Sequence, residues 1–344
     1  MSATLVSARE YAWGQSLARH RFGSLFSSPP WIEAISRTYG FEIVAAVSGS
    51  GSNADAAVLF SHIQDLRGNR IVCLPFSDYC DPLVGDSDVW NELVEPLLLI
   101  EAPIRMRCLR NSLPSRDPRF ILYKRAKWHG VNLARAENEL WAGLAPEARQ
   151  SIRHACRKEV VVRESKSLED MRLFHQMHLR LRKSKYRLLA PPFALFENIQ
   201  KIFSRDDRAT LLIAEHSGEP LAGIFLLRWQ DVLYYKFNAS FDYSYRPNEL
   251  LLWRAMLLGH HLGLATLDLG LSDIEQPGLV RYKRKFATEE REISFFEWLP
   301  RDVQDPRAVE ASETLSHVTR LLTDPSVPDE ITRAAGERFY RFFA

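Results

Sequence analysis

The sequence predicts a mixed α/β (α+β) fold built from two tandem units. The chain has 344 residues, which is long for one hydrophobic core and comfortable for two. Hydrophobic residues make up 46% of it and charged residues 26%, as is usual for a globular protein. Within this length the same order of helix and strand patterns occurs twice. These observations together favour a structural duplication over one large domain.

The first copy of the pattern begins with a helix. In "PPWIEAISRTYG", apolar residues recur at helical spacing between an initial proline pair and a final glycine. "FEIVAAV" and "AAVLFSHIQD" then predict a hairpin, and "RIVCLPF" predicts a third strand. The loop "SDYCDPLVGDSD" leads to a helix in "VWNELVEPLLLI" and a strand in "IRMRCLR".

The second copy repeats this order with different residues. "PPFALFENIQKIF" predicts the helix, "ATLLIAEH" and "LAGIFLLRW" the hairpin, and "VLYYKFNA" the third strand. The loop "SFDYSYRP" leads to the helix "NELLLWRAMLLGHHLG" and the strand "ATLDLGL". A strand and a further helix precede each copy, "TLVSA" with "EYAWGQSLARH" and "EVVVRES" with "LEDMRLFHQMHLRLRKSKY". Each unit is therefore predicted as strand, helix, helix, three strands, helix, strand.

Composition and charge exclude several classes of protein. The net charge of +2 argues against a general nucleic-acid coat. The four cysteines form no CxxC pair and are expected to be buried free thiols in a reducing compartment. The N-terminus lacks a basic segment followed by an apolar core, so we expect a cytoplasmic protein. The ten histidines form no ligand set, and we expect no metal.

Basic residues cluster in three segments of the second half, 149–158, 180–187 and 281–285. Each cluster alone is compatible with a solvated surface. The first-half loop 77–88 is acidic instead, with four aspartates that would repel a pyrophosphate. This asymmetry favours a cleft for a phosphorylated substrate, either a nucleotide-sugar or a lipid-linked sugar diphosphate. Transfer RNA is the alternative anion.

Several motifs resemble the FemAB family of acyl and aminoacyl transferases, which have two tandem GNAT-fold units. They are "LPFSDYCDPLV", "LAPEARQSIRHACRKEVVVRE", "YYKFNAS" with "YRPNELLLWRAM", and "LDLGLSDIEQPGLVRYKRKFA". The resemblance covers residues 20–297. It departs from the family pattern at Asp81-Pro82, where Gly-Pro is common, and at Phe286-Ala287, where an aromatic-Gly pair is common. A long charged helical hairpin within the second domain is also missing.

The resemblance implies two GNAT-like units, each a mixed, mostly antiparallel sheet flanked by helices, that share a cleft. The expected domains are residues 1–135, residues 136–300 with the active site, and a helical tail at 301–344. The tail ends in "PDEITRAAGERFYRFFA", for which we expect a helix that either packs on the second domain or rests on anionic lipid. In the second case the protein would be peripheral to the inner face of the membrane.

Two residues are the catalytic candidates. The resemblance implies that Lys283, in the pair Tyr282-Lys283, reaches the transfer centre and stabilises negative charge; a surface lysine is the alternative. Asp268 is the second candidate because it is a carboxylate within an otherwise apolar strand. Pro277 and Gly278 predict a turn between Asp268 and Lys283. The substrate-binding candidates are Arg153, Arg187, Tyr235, Asn238, Arg246, Asn248, Ser272 and Tyr282, with a helix cap as the alternative role of Asn248.

The predicted function is N-acyl transfer to an amine on a cell-envelope or polysaccharide precursor that is phosphorylated or sugar-linked. No covalent nucleophile is evident, so direct attack in a ternary complex is expected. Acyl-CoA is the expected co-substrate and no tightly bound cofactor is expected, although the loop before Arg246 lacks a glycine-rich pattern. Two alternatives stay open: an aminoacyl-tRNA-dependent transferase acting on a peptidoglycan precursor, and a degenerate GNAT module that binds without chemistry.

Overall fold

The computed structural model describes residues 3–9, 17, 19–48, 54–301 and 306–344. The strands are β1 (Thr4–Ser7), β2 (Val44–Ser48), β3 (Ala56–Asp65), β4 (Gly68–Val72), β5 (Ile104–Cys108), β6 (Ile121–Asn132), β7 (Val161–Ser165), β8 (Ala209–His216), β9 (Glu219–Trp229), β10 (Val232–Ser240), β11 (Thr266–Asp273) and β12 (Glu289–Trp298). The α-helices are α1 (Pro29–Tyr39), α2 (Ser87–Leu98), α3 (Leu113–Arg116), α4 (Glu137–Gly143), α5 (Pro146–Arg157), α6 (Leu168–Leu181), α7 (Phe193–Phe203), α8 (Pro247–His261), α9 (Pro277–Arg284), α10 (Pro306–Leu322) and α11 (Asp329–Phe339). A π-helical turn, Arg182–Tyr186, extends α6.

This order of elements confirms the predicted fold class. The second predicted unit has strand, helix, helix, three strands, helix and strand from β7 to β11. Unit 1 has the same order from β1 to β5, except that most of the first predicted helix, residues 10–16 and 18, lies outside the described residues. Residues 49–53, which belong to the turn of the first predicted hairpin, also lie outside the described residues. Because Pro277 begins α9, the turn predicted there is wrong: a proline in the first helical position is compatible with a helix.

The chain divides into two compact units. Unit 1 consists of residues 1–126, 292–317 and 341–344, and unit 2 of residues 127–291 and 318–340. Two changes of unit fall inside β6 and β12, a third falls inside α10, and the last follows α11. The domain limits expected from the sequence, 135 and 300, stay predictions. The strands follow one hydrogen-bonded order, β1-β2-β3-β4-β5-β12-β6-β11-β10-β9-β8-β7. Two of these strands, β6 and β12, carry residues of both units.

One parallel pair occurs at the same place in each unit. β4 and β5 pair in parallel over Ile71–Val72, and β10 and β11 pair in parallel over Val232–Tyr234. The hairpins on either side, β2–β3–β4 and β8–β9–β10, are antiparallel. A parallel pair needs a crossover, and α2 and α8 supply it. This shared arrangement places the loop before each crossover helix at the end of a parallel pair.

The C-terminal segment packs on unit 2, which confirms one of its two predicted roles. The buried Lys183 ammonium donates to Asp329 Oδ1 at 2.9 Å and to the carbonyl of Val327. Arg180 Nε donates to Asp329 Oδ2 at 3.0 Å, and α11 contacts α6. Part of the second basic cluster therefore holds the protein's own tail. None of the described helices combines the length and the apolar character that a membrane span requires.

Candidate active site

In unit 1 the space beyond the parallel pair is filled by the chain itself. After β4, the backbone N–H of Cys73 donates to Arg105 O, and that of Cys80 donates to Arg107 O, each at 2.9 Å. Carbonyls two residues apart on a strand point to the same side, so Cys80 lies along the edge of β5 that β4 has left. The buried Asp81 carboxylate then accepts the N–H groups of residues 109–111, each at 2.9 Å.

In unit 2 the corresponding loop turns the other way. β10 continues to Ser240 and β11 to Asp273, but their mutual pairing ends at Tyr234 and Asp268. The N–H of Phe241 donates at 2.7 Å to Leu221 O, on β9, so this loop bonds away from β11. The parallel pairing of the two strands thus ends at Tyr234, and we call the space between them beyond this point the gap of unit 2.

The two crossover helices also begin differently. Asp86 caps α2: its Oδ1 accepts the N–H groups of Asp88 at 2.8 Å and Val89 at 3.1 Å. The N-cap of α8 is Arg246, in the left-handed region at φ 57°, and its side chain makes no cap bond. A carboxylate thus satisfies the start of α2, whereas the N-cap side chain of α8 makes no cap hydrogen bond among the described residues and the Arg246 guanidinium is exposed. The N-cap of α8 is Arg246, so the helix-cap role considered for Asn248 is wrong.

Polar groups converge near the gap of unit 2. Tyr235 lies on β10 just beyond the parallel pair, and Tyr282 lies on α9. The Tyr282 hydroxyl is buried and has no hydrogen-bond partner among the described residues. Glu249, in the first turn of α8, is buried, and the Lys285 Nζ lies 3.8 Å from its Oε1. That Nζ is also 5.8 Å from the Tyr282 ring centroid, so Lys285 links the tyrosine to the carboxylate.

Electrostatics assign a protonation state to the two phenols. Burial raises the pKa of Tyr282 well above 10, with smaller contributions from Tyr235 and Glu249. Burial also raises the pKa of Tyr235, with smaller contributions from Tyr186, Tyr243 and Glu249. Both phenols are therefore neutral hydrogen-bond donors near pH 7. Such donors can stabilise an oxyanion or protonate a leaving group, while a carboxylate beside them can accept a proton.

The two catalytic candidates are both buried on or against β11. Lys283 is 5% exposed, and its ammonium donates to the carbonyls of Gly270 at 3.0 Å and Leu271 at 2.8 Å. Asp268 is 2% exposed, and its Oδ1 accepts the N–H of Gly270 at 2.6 Å. Gly270 has φ 70°, which favours glycine. Both side chains therefore fix the course of β11, and their catalytic roles stay predictions.

The other predicted site residues are spread over unit 2. Tyr235, Tyr282, Arg246 and Asn248 surround the gap or the start of α8; Ser272 and Asn248 each have a buried side-chain oxygen with no partner among the described residues. Asn238 offers its carbonyl to His178 Nδ1 at 2.9 Å. Arg187 donates to Thr323 O at 2.7 Å, on the C-terminal segment. Arg153 lies exposed on α5, 5.6 Å from the Trp141 ring centroid.

The sequence interpretation missed Glu249 and Lys285. Glu249 belongs to the tripeptide "NEL", which occurs in both halves of the sequence. Its signal is a carboxylate in the first turn of a helix that continues with four apolar residues. Lys285 carries no signal of its own, because three basic residues precede it within five positions. Among the described residues, no group of three or more His, Cys, Asp or Glu could hold a metal. Of the cysteines, Cys156 is exposed and not buried as expected.

Comparison with known proteins gives one family match and several similar folds. Residues 146–284 match the family model described as the acetyltransferase (GNAT) domain. The structure is similar to that of FemX, with a TM-score of 0.65 and 14% identity over 87% of this chain and 97% of FemX. It is also similar to L-PGS from Bacillus licheniformis, with a TM-score of 0.52 and 14% identity over 81% of this chain and 90% of that one.

A third similar structure is the C-terminal domain of a protein from Agrobacterium fabrum described as a lysylphosphatidylglycerol synthetase. Its TM-score is 0.53, with 14% identity over 83% of this chain and 91% of that one. No curated protein sequence matches the chain. The identities are too low to carry more than the fold, but the family match falls wholly within unit 2. The chain therefore has a FemAB-like tandem GNAT fold, and residues 146–284 of its second unit match the acetyltransferase (GNAT) domain model.

Proposed function

We propose that the chain transfers an acyl group from acyl-CoA to a primary amine on a cell-envelope or polysaccharide precursor, and that unit 2 binds the donor. The observation that carries this proposal is the difference between the two units. Loop 73–83 and Asp86 occupy the gap and the helix start in unit 1. In unit 2 the pairing of β10 and β11 ends at Tyr234, the loop after β10 bonds to β9, and α8 begins beside Arg246.

The chemistry follows from the groups around this gap. The donor's phosphates would bind at the start of α8 and Arg246, with the acyl thioester in the gap. The acceptor amine attacks the carbonyl carbon, a C–N bond forms, and the C–S bond then breaks. The neutral hydroxyl of Tyr282 or Tyr235 can donate to the oxyanion or to the leaving sulfur. Glu249 is a nearby carboxylate that can accept the proton lost by the amine.

An aminoacyl-tRNA donor is the second candidate. One similar structure carries the name lysylphosphatidylglycerol synthetase. The product in that name combines an amino acid, lysine, with a phospholipid. On this chain, Arg153, Arg157 and Lys158 are exposed at one end of α5, where a polyanion could bind. Under this alternative the bond that breaks is an ester C–O bond, and the groups around the gap keep the same roles.

A thermal-unfolding screen tests the donor. Acetyl-CoA, longer acyl-CoAs and aminoacyl-tRNA are each added to the full chain, and a ligand that binds only the folded state at a hundredfold excess over its Kd stabilises it by about 2.7 kcal/mol. We expect stabilisation by an acyl-CoA, and a reduced effect in Arg246→Gln. The matched control is Arg254→Gln, an exposed arginine further along α8, which should respond as the wild type does.

The outcome separates the candidates. If aminoacyl-tRNA stabilises the protein and no acyl-CoA does, the donor is aminoacyl-tRNA and not acyl-CoA. Equal acyl-CoA stabilisation of wild type and Arg246→Gln would remove Arg246 from the donor site. Binding of a donor without turnover of any amine would leave a binding module.

A further inference from the structure

The start of β6 exposes an unusual set of side chains in unit 1. Ile121 is 63% exposed, Leu122 is 39% exposed and Tyr123 is 46% exposed, and Lys124 and Arg125 are exposed as well. Successive residues of a strand point to opposite faces, so both faces of the strand are uncovered here. Ile121 and Tyr123 lie on one face of the strand and Leu122 on the other, so apolar side chains are exposed on both faces of this strand end. We call residues 121–125, with Arg105 and Arg107 of β5, the β6 patch.

Cations surround these apolar side chains. The Arg105 guanidinium lies 6.0 Å from the Tyr123 ring centroid. The Phe295 ring, which meets Tyr123 edge-on at 6.0 Å, lies 5.0 Å from the Arg107 guanidinium and 5.9 Å from the Lys124 ammonium.

Two acids also belong to this surface. Glu297 pairs with Arg105 at 2.7 Å, and Glu292 lies 3.7 Å from Arg125. The four cations Arg105, Arg107, Lys124 and Arg125 against these two carboxylates leave the patch net positive.

We propose that the β6 patch docks the protein on the surface of a bilayer that contains anionic lipid. Aliphatic and aromatic side chains can enter the boundary between headgroups and acyl chains, while flanking cations bind lipid phosphates. Tyr123 suits this boundary because its ring is apolar and its hydroxyl is polar. The proposal concerns a surface of unit 1 and is independent of the donor site in unit 2.

Two other occupants fit the patch less well. Single-stranded RNA would use the cations and the tyrosine, but Ile121 and Leu122 offer no ring on which a base can stack. A second copy of the chain would cover the apolar residues, but a two-fold contact would bring four cations against the same four cations. An anionic bilayer satisfies the aliphatic residues and the cations together.

Flotation of the full chain with vesicles tests the proposal. We expect the protein to float with phosphatidylcholine vesicles that contain phosphatidylglycerol, and not with phosphatidylcholine alone. The double variant Ile121→Ser with Leu122→Ser should lower the bound fraction at least about tenfold, because the apolar contact is lost. Lys124→Gln should lower it about fivefold. Salt at about 1 M, where the Debye length is about 3 Å, should weaken binding further.

Matched controls and ligand binding make the test decisive. Leu262→Ser removes an equally accessible leucine, 46% exposed, from unit 2, and Arg254→Gln removes an exposed cation there; both should float as the wild type does. Donor stabilisation should be unchanged in the double variant, which shows that it is folded. The proposal is overturned by no flotation with anionic vesicles, or by equal flotation of wild type and double variant. Binding of a single-stranded RNA oligomer or self-association, lost in the double variant while vesicles do not bind, would assign the patch to that occupant instead.

Discussion

Lys283 shows how burial changes what a single charged residue does. Its ammonium lies between the carbonyls of Gly270 and Leu271 and is almost inaccessible to solvent. A buried carbonyl has given up its hydrogen bonds to water, so the loss of its protein donor leaves it unsatisfied and destabilises the folded state. Lys283 therefore joins α9 to β11, and it holds the neighbouring Tyr282 in place whether or not it also contacts a substrate.

The first prediction concerns the stability of Lys283→Met. We expect this change to lower the free energy of unfolding by about 1–3 kcal/mol, because the buried carbonyl of Gly270 and the partly buried carbonyl of Leu271 lose this donor. Urea denaturation measures it. The control is Lys285→Met, whose ammonium is 3.8 Å from Glu249 and partly exposed, and which should cost less than about 1 kcal/mol. Equal, small losses in the two variants would contradict a structural role for Lys283.

At the scale of elements, the two crossover helices begin with different caps. α2 is capped by Asp86 and α8 by the backbone of Arg246 alone. A helix start favours negative charge, and in α2 the protein supplies that charge itself. The acidic loop of the first half therefore does more than repel a phosphate: Asp81 and Asp86 take up the amides that a ligand would need.

The second structural prediction concerns the docking of α11. A methyl group at Gly336 would lie closer to the carbonyl oxygen of Ala190 than real side-chain carbons approach. Gly336→Ala should therefore lower the free energy of unfolding by about 1–3 kcal/mol, despite the better helix propensity of alanine. Gly143→Ala, at the end of α4 with open space around it, should be neutral or stabilising. Thermal unfolding compares the two, and a stable Gly336→Ala would show that α11 can shift without cost.

At the scale of the whole molecule, the sequence predicted the element order better than it predicted the site. Hydrophobic periodicity and turn residues indicate helices and strands locally, so the order from β7 to β11 could be found without a structure. Strand order depends on pairings between distant residues. For that reason the antiparallel pairing of β12 with β5 was not predicted.

The site was predicted only where a residue's type already suggested its role. Tyr235, Tyr282 and Arg246 were identified, and they lie around the gap or the start of α8. Glu249 and Lys285 were missed because their meaning depends on burial and on a 3.8 Å contact. The filled gap of unit 1 could not be predicted either, since it rests on backbone hydrogen bonds of a loop.

The central claim is that the donor binds in unit 2, between β10 and β11 and at the start of α8, and that the counterpart in unit 1 is filled. Hydrogen–deuterium exchange on the full chain, with and without saturating acetyl-CoA, measures this directly. Backbone amides that become ordered or covered by a ligand exchange more slowly. The account predicts slower exchange across residues 235–250 and no change across residues 73–89. Protection of 73–89, or none at 235–250 with either acetyl-CoA or aminoacyl-tRNA, would contradict it.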